Sequence, residues 1–386
     1  MQTEVAAFYF PNWHVDPRNE RWHGRGWTEW DLVRNATPRY PGHRQPIVPA
    51  WGYCDEADPA YAAREIDLAA DHGVTTFLYD WYWYEDGPYL NGQLDRGFLA
   101  APNRGRMKYA LMWANHAWMD IHPVGFRNSP AVLDDGRLSE AAWERMTDHI
   151  VAHHFTQPNH LRVDGCPFFS IYDLGNFIAS CGGLDGAARA LDRFRAKVRR
   201  AGMPGLHLNI IVWGNVVHPG EHGLGADRDA VLRALGADSG TAYVWVHYHN
   251  PSSAGFPRAS YARAFADARA AFDKMWSDLP VPFHPNVTVG WDSSPRTVQS
   301  DRYEDRGYPF MGVLEGNTPA AFAEALTWAR DAVATKPGPF RMITLNAWNE
   351  WTEGSYLLPD TAQGTQYLEQ VRAVFGAQKH RTGGAG

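Results

Sequence analysis

Residues 58–81 read DPAYAAREIDLAADHGVTTFLYDW. Asp58 followed by Pro59 has the form of a helix cap and first helical residue, Ala63, Ile66 and Ala70 recur at helical spacing, and Gly73 ends the segment. The run VTTFLYDW (74–81) that follows is apolar without alternation, which suits a strand buried on both faces of a parallel sheet. Helix, glycine, buried strand and a polar strand end at Asp80 make one repeat of an α/β fold.

The same unit recurs along the chain. Strand-like runs occur at VAAFYF (5–10), KYALMW (108–113), PFFSIYD (167–173), LHLNIIVW (206–213), AYVWVHY (242–248), NVTVGWD (286–292) and RMITLNAW (341–348), eight with the first. Helical spacing appears between them at Trp143, Met146 and Ile150, at Leu191, Phe194 and Val198, at Phe265, Phe272 and Trp276, at Phe322, Leu326 and Val333 after Thr318-Pro319, and at Leu368, Val371 and Phe375. Eight alternations predict an α/β fold, a single (β/α)8 TIM barrel over residues 1–378, with a flexible C-terminal tail at 379–386. The segments after strands one and two (14–57 and 84–106) exceed the usual connection length and predict long loops on the catalytic face.

The 386 residues are 45% hydrophobic and 20% charged, a balance that gives a globular chain with a sizeable core. A formal charge of −7 with no basic block argues against nucleic acid or an acidic membrane surface as partner. The three cysteines lack metal-type spacing and imply no disulfide framework. No signal peptide and no membrane-length apolar run is visible, from which a cytoplasmic location is expected. Nothing in the sequence marks an obligate protein partner.

Active sites of this fold lie at the C-terminal strand ends. There stand Asp80 with Trp81 and Trp83, Trp113 with Asn115, Tyr172, Trp213, His247 with Tyr248, Trp291 with Asp292, and finally Trp348, Asn349, Glu350 and Glu353. The set describes a polar and aromatic bowl, and 17 Trp in one chain suit a ligand with flat C–H faces and many hydroxyls. A carbohydrate is the expected substrate. Glycoside hydrolysis needs a proton donor and a second carboxylate, and Glu350 with Glu353 in NEWTEG can supply both, with indoles beside them to desolvate a carboxyl that must stay protonated. In the first long loop, Trp27 and Glu29 of GWTEW add an acid between indoles. His247 and His249, on one strand face, are expected to touch sugar rather than metal, and the chemistry requires no cofactor.

The blocks FYFPNWHVDPRNERWHGRGWTEWDLVRNATPRYPGHRQPIVP, DPAYAAREIDLAADHGV and NAWNEWTEGSYLLPD resemble the WbsX-type proteins, which belong with the glycoside hydrolase family 99-like group. The likeness runs from the first strand to the last. It implies a (β/α)8 barrel and a retaining mechanism in which Glu350 deprotonates the sugar 2-hydroxyl, the freed oxygen attacks the anomeric carbon to give a 1,2-anhydro sugar, and Glu353 acts as acid and then as base for water. Such chemistry needs a 2-hydroxyl trans to the leaving group, as in an α-mannoside. Thr352 stands where family 99 mannosidases resemble NEWHEG, so the likeness does not extend to the mannosidase subsite.

WbsX-type proteins have also been labelled glycosyltransferases. A nucleotide-sugar transferase calls for a metal-binding Asp-x-Asp or a glycine-rich turn. The one Asp-x-Asp, Asp227-Arg228-Asp229, reads as a helix start. Transglycosylation in polysaccharide assembly remains open at this level, and a silent sugar-binding barrel would lack one of the two glutamates.

Overall fold

A computed structural model describes residues 3–376 apart from 225–226, 254, 337 and 339. The tail expected at 379–386 lies outside the described residues. The strands are β1 (Glu4–Tyr9), β2 (Thr76–Tyr84), β3 (Lys108–Trp113), β4 (Cys166–Ile171), β5 (His207–Ile211), β6 (Ser239–Thr241), β7 in two pieces (Phe283–His284 and Asn286–Thr288) and β8 (Met342–Asn346). Each pairs in parallel with the next, and β8 pairs with β1. The first piece of β7 bonds to β6 and the second to β8, so the strand interrupted at Pro285 closes the barrel. The (β/α)8 expectation holds.

Among the described residues, seven α-helices of eight residues or more stand outside: α1 (Pro59–Asp71), α2 (Glu140–His149), α3 (Leu184–Arg200), α4 (Arg228–Leu235), α5 (Tyr261–Asp278), α6 (Pro319–Ala334) and α7 (Gln366–Phe375). The β2–β3 connection carries only the short turn Gln93–Phe98 in that position. Asp58 caps α1 by accepting the Ala60 N–H, and Asp227 caps α4 by accepting those of Asp229 and Ala230. The Asp-x-Asp is therefore a helix cap.

The sixth strand departs from expectation. It ends at Thr241, and Trp245–His247 form a single tight turn. The Trp245 N–H bonds to Thr288 Oγ1 at 3.0 Å, and its indole stacks on Phe265 of α5 with centroids 5.3 Å apart. An apolar run reports burial, and here the burial is that of a turn beneath a helix. Long loops follow β1 and β2 as expected, and the connection after β7 (289–318) is long as well.

One buried acid on α1 yields a prediction about stability. Glu65 accepts the Tyr9 hydroxyl at 2.8 Å and the Trp348 indole N–H at 3.0 Å. Burial raises its pKa to about 8, against the Trp348 hydrogen bond and with Glu56 adding repulsion. The folded state keeps a proton that the unfolded chain releases near about pH 4.3, so the stability this proton lends is lost as pH rises toward about 8. Relative to wild type, Glu65→Gln should gain on the order of 4 kcal/mol of stability between about pH 5 and about pH 8. Melting curves across that range check this, and parallel curves for the two proteins would remove the proton from Glu65.

No helix among the described residues is long and apolar enough to cross a membrane.

Candidate active site

Past β8 the chain forms a short hairpin. Asn349–Glu350 pairs antiparallel with Ser355–Tyr356, the tip Trp351–Glu353 is one tight turn, and Gly354 takes a left-handed backbone at φ 63°. A Cβ on Gly354 would lie 2.7 Å from Cβ of Asp292, so only glycine lets the β7 and β8 loops close. Asn349 pins the hairpin to the end of β1 through the Phe10 N–H at 2.8 Å and carbonyl at 2.9 Å. Trp351 stacks on Tyr356 at 4.2 Å, away from the barrel mouth. What remains aimed into the mouth is Glu350 and Glu353.

Both glutamates meet one guanidinium. Arg296, 5% exposed in the loop after β7, donates from Nη2 to Glu350 at 2.8 Å, from Nη1 to Glu353 at 2.6 Å and from Nε to Glu29 at 2.9 Å. Tyr308 donates to the same Glu353 oxygen at 2.7 Å. Glu29 also accepts Thr352 Oγ1 at 2.5 Å and Asn12 Nδ2 at 2.6 Å. Three carboxylates around one buried cation leave the group short of positive charge.

The acids respond accordingly. Burial and the facing Glu353 raise the pKa of Glu350 well above the usual carboxylate range, against the pull of Arg296. Burial raises Glu353 too, but Arg296 and the Tyr308 hydroxyl both pull it back. The pair titrates as a unit and shares its proton.

The walls come from the other strand ends: Asp80 and Tyr82 from β2, His116 and Trp118 after β3, Tyr172 after β4, Glu221 and His218 after β5, and Tyr243 and His247 after β6. They enclose a narrow cleft. Glu221 accepts from the Tyr172 hydroxyl, and its other oxygen takes the Val217 and His218 N–H groups at 2.7 and 3.0 Å. His247 Nε2 lies 3.2 Å from the oxygen that Tyr172 reaches. Burial alone would raise the pKa of Glu221, but His247 and its other partners outweigh it and bring it to about 2. His116, His122 and His218 are driven below the usual imidazole range chiefly by burial, so they line the cleft as neutral rings.

Of the residues expected to form the site, Glu350, Glu353, Asp80, Tyr172, His247 and Trp291 line this cleft. The others serve elsewhere, and strand parity explains most of them. On β2 the inward row is Leu78, Asp80 and Tyr82, so Trp81 and Trp83 face out, stacked on each other at 5.6 Å beside His149. On β3 the inward row is Met112, Ala114 and His116. Trp113 therefore packs on Trp143 and Phe177, and Asn115 bonds to the Asp173 backbone. A side chain one residue off points to the opposite face.

The remaining corrections are local. Trp213 stacks on His247 at 5.1 Å and supports the wall without lining it. Tyr248 donates to the Val212 carbonyl, and His249 bonds to Asp267 at 2.8 Å, so His247 and His249 share no site. Trp27 stacks on His23 at 4.3 Å, Trp348 serves Glu65, and Asn349 serves Phe10. Asp292 accepts from His43 at 2.8 Å and Gln45 at 2.7 Å, tying the first loop to the seventh, and Glu29 positions Arg296.

The sequence reading missed Arg296, Tyr308, Glu221 and Tyr243. Tyr243 could have been found by parity from β6. Arg296 had one signal: acids crowded at strand ends require a buried cation, and SSPRTV supplies one just past the seventh strand.

Fold and site together define a (β/α)8 protein with an acid pair buried at the C-terminal mouth of its barrel. A family model described as Glycosyltransferase WbsX matches residues 5–371, and the chain belongs to that family. It is 26% identical over 375 residues to an uncharacterized protein WxcX of Xanthomonas campestris pv. campestris, covering 96% of this chain and 49% of that protein. The chain thus spans about half the length of the curated relatives it matches. Among solved structures it is similar to the GH99 endo-α-mannosidase of Bacteroides thetaiotaomicron, with TM-score 0.56, 15% identity, and 97% of this chain and 96% of that one covered. A glycoside hydrolase-like protein aligns with TM-score 0.60 and 16% identity over 97% of this chain and 94% of its own. At these identities the likeness speaks for the fold.

Proposed function

We propose that the chain cleaves a glycosidic bond in a bacterial oligo- or polysaccharide with retention, through a 1,2-anhydro sugar, acting on a 1,2-trans glycoside such as an α-mannoside. The observation that carries this is the pair Glu350 and Glu353 held on one buried guanidinium at the barrel mouth. Glu350 takes the 2-hydroxyl proton, the freed oxygen displaces the leaving group at the anomeric carbon, and Glu353 protonates that group. Water then opens the anhydro ring at the anomeric carbon, with Glu353 taking its proton and Glu350 returning one to the 2-oxygen. An internal nucleophile has a high effective molarity, so positioning and proton transfer are what the protein must supply.

A proton shared by the pair fits this sequence. A 2-hydroxyl donating to Glu350 favours its ionised form, and a glycosidic oxygen accepting from Glu353 favours its protonated form. Sugar binding therefore places the shared proton on Glu353, with both carboxyls already bound to Arg296. Thr352 has a role that needs no sugar, since its hydroxyl is spent on Glu29.

A second reading, transfer from a nucleotide sugar or transglycosylation in polysaccharide assembly, has the family description in its favour. Against the nucleotide sugar stands the charge of the cleft. Its guanidinium, Arg296, is already shared by Glu29, Glu350 and Glu353, the His116, His122 and His218 rings are neutral, and a diphosphate would meet Glu221. The test is proton NMR of a cleavage reaction run without nucleotide sugar. A first-formed product with the anomeric configuration of the substrate supports the mechanism, and the inverted anomer sinks it.

A further inference from the structure

Asp80 ends the inward row of β2, 2% exposed and in the wall of the cleft. Its Oδ2 accepts the Tyr243 hydroxyl at 2.8 Å, while Oδ1, equally buried, has no hydrogen-bond partner. The titratable groups that face it are Tyr82 from its own strand, Tyr172 after β4, Tyr243 after β6, and Glu350 and Glu353 from the hairpin after β8. None of these five is a cation. Glu350 and Glu353 have Arg296 and Glu221 has His247, so among the described residues lining the cleft Asp80 is the carboxyl without a basic partner.

A buried carboxylate in that setting would leave a charge uncompensated and an acceptor empty. A carboxylic acid would instead carry an O–H there, free to donate, on a side chain that lines the cleft. Burial, opposed by the Tyr243 hydroxyl and reinforced by Glu353, raises the pKa of Asp80 well above the usual range, in agreement with the neutral form.

We propose that Asp80 is a neutral carboxylic acid which, with Oδ2 held by Tyr243, donates a hydrogen bond from Oδ1 to a hydroxyl oxygen of an uncharged sugar. This rests on the glycan-cleaving reading of the same cleft for the identity of the ligand. Ionised Asp80 could only accept, so binding weakens as pH rises through its titration. It is a binding residue and takes no part in proton transfer at the anomeric centre.

The test compares wild type, Asp80→Asn and Asp80→Ala. Its first arm uses no substrate: the infrared difference spectrum of wild type minus Asp80→Asn at neutral pH should contain the carbonyl band of a protonated carboxyl group, and a missing band overturns the proposal. The second arm follows kcat/KM on whichever α-mannan or bacterial polysaccharide the wild type cleaves. Asp80→Ala should lose about 100-fold, and Asp80→Asn only about tenfold, because a carboxamide accepts from Tyr243 and donates from Nδ2. Asp80→Asn should also lose the wild-type decline on the alkaline side. An asparagine variant as poor as alanine, or one that keeps the wild-type alkaline limb, overturns the proposal. A wild type that cleaves nothing, with the infrared band present, overturns sugar as the acceptor together with the reading of the cleft, and leaves the protonation standing.

Discussion

Glu353→Gln is expected to lower kcat for glycan cleavage by about 10³-fold, the middle of the range for loss of a general acid and base. The carboxamide keeps the volume and can still accept from Arg296 and Tyr308, so the cleft stays formed and KM changes little. Melting should stay within a few degrees of wild type, because Glu353 is one of three acids on a single cation and removing it relieves repulsion against Glu350. The deficit should shrink on aryl glycosides whose leaving group needs no proton. Glu350→Gln should fall by a similar factor and gain nothing from such substrates, because the 2-hydroxyl must still be deprotonated. Equal recovery of both variants on activated aryl glycosides would contradict the assignment of roles.

Arg296→Met is expected to be the most damaging single change to the fold of the site. It leaves Glu29, Glu350 and Glu353 buried without a cation, and breaking a buried ion pair on one side costs about 3–5 kcal/mol. Part of that cost will be avoided by protonation, since the acids then take up protons on folding. The variant should therefore be destabilised most at high pH and least at low pH. Sugar cleavage should be undetectable at neutral pH. Arg296→Lys should not restore it, because an ammonium is a compact point charge and cannot present the fork that meets three carboxylates at 2.6, 2.8 and 2.9 Å. Adding Glu29→Gln to Arg296→Met should cost less than the sum of the two single changes, since it removes one of the stranded charges. Denaturant unfolding of the four proteins checks this, and strict additivity would mean that Arg296 and Glu29 are not the coupled pair described.

Much of the fold was legible from the sequence because its signals are local. Asp58-Pro59, Thr318-Pro319 and Gly73 mark helix limits through backbone chemistry that needs no neighbour, and both caps form as read. Seven of the eight apolar runs are strands for the same reason: a parallel strand covered on both faces has few other ways to be written. The run at 242–248 misled because Trp245 is buried by a helix and not by the sheet.

The site was legible where residue and direction coincide. Glu350 and Glu353 lie on a hairpin whose two ends face the mouth, so their spacing was informative. Trp81, Trp113 and Asn115 were misread because the strand ends were taken whole, whereas a β-strand sends alternate side chains to opposite faces. Counting parity from Leu78 would have kept Asp80 and Tyr82 and dropped both indoles. Arg296, Tyr308 and Glu221 come from long loops whose path depends on tertiary contacts, such as Asp292 with His43 and Gln45. No periodicity reports such a path.

The most direct test of the central claim is the release of new reducing ends from a panel of α-mannans and bacterial polysaccharides, by wild type and Glu353→Gln side by side. Release by the wild type without nucleotide sugar, and about 10³-fold slower release by the variant, is the predicted result. No release from any member of the panel, with sugar transfer appearing once a nucleotide sugar is supplied, would contradict the account and make the cleft that of a transferase.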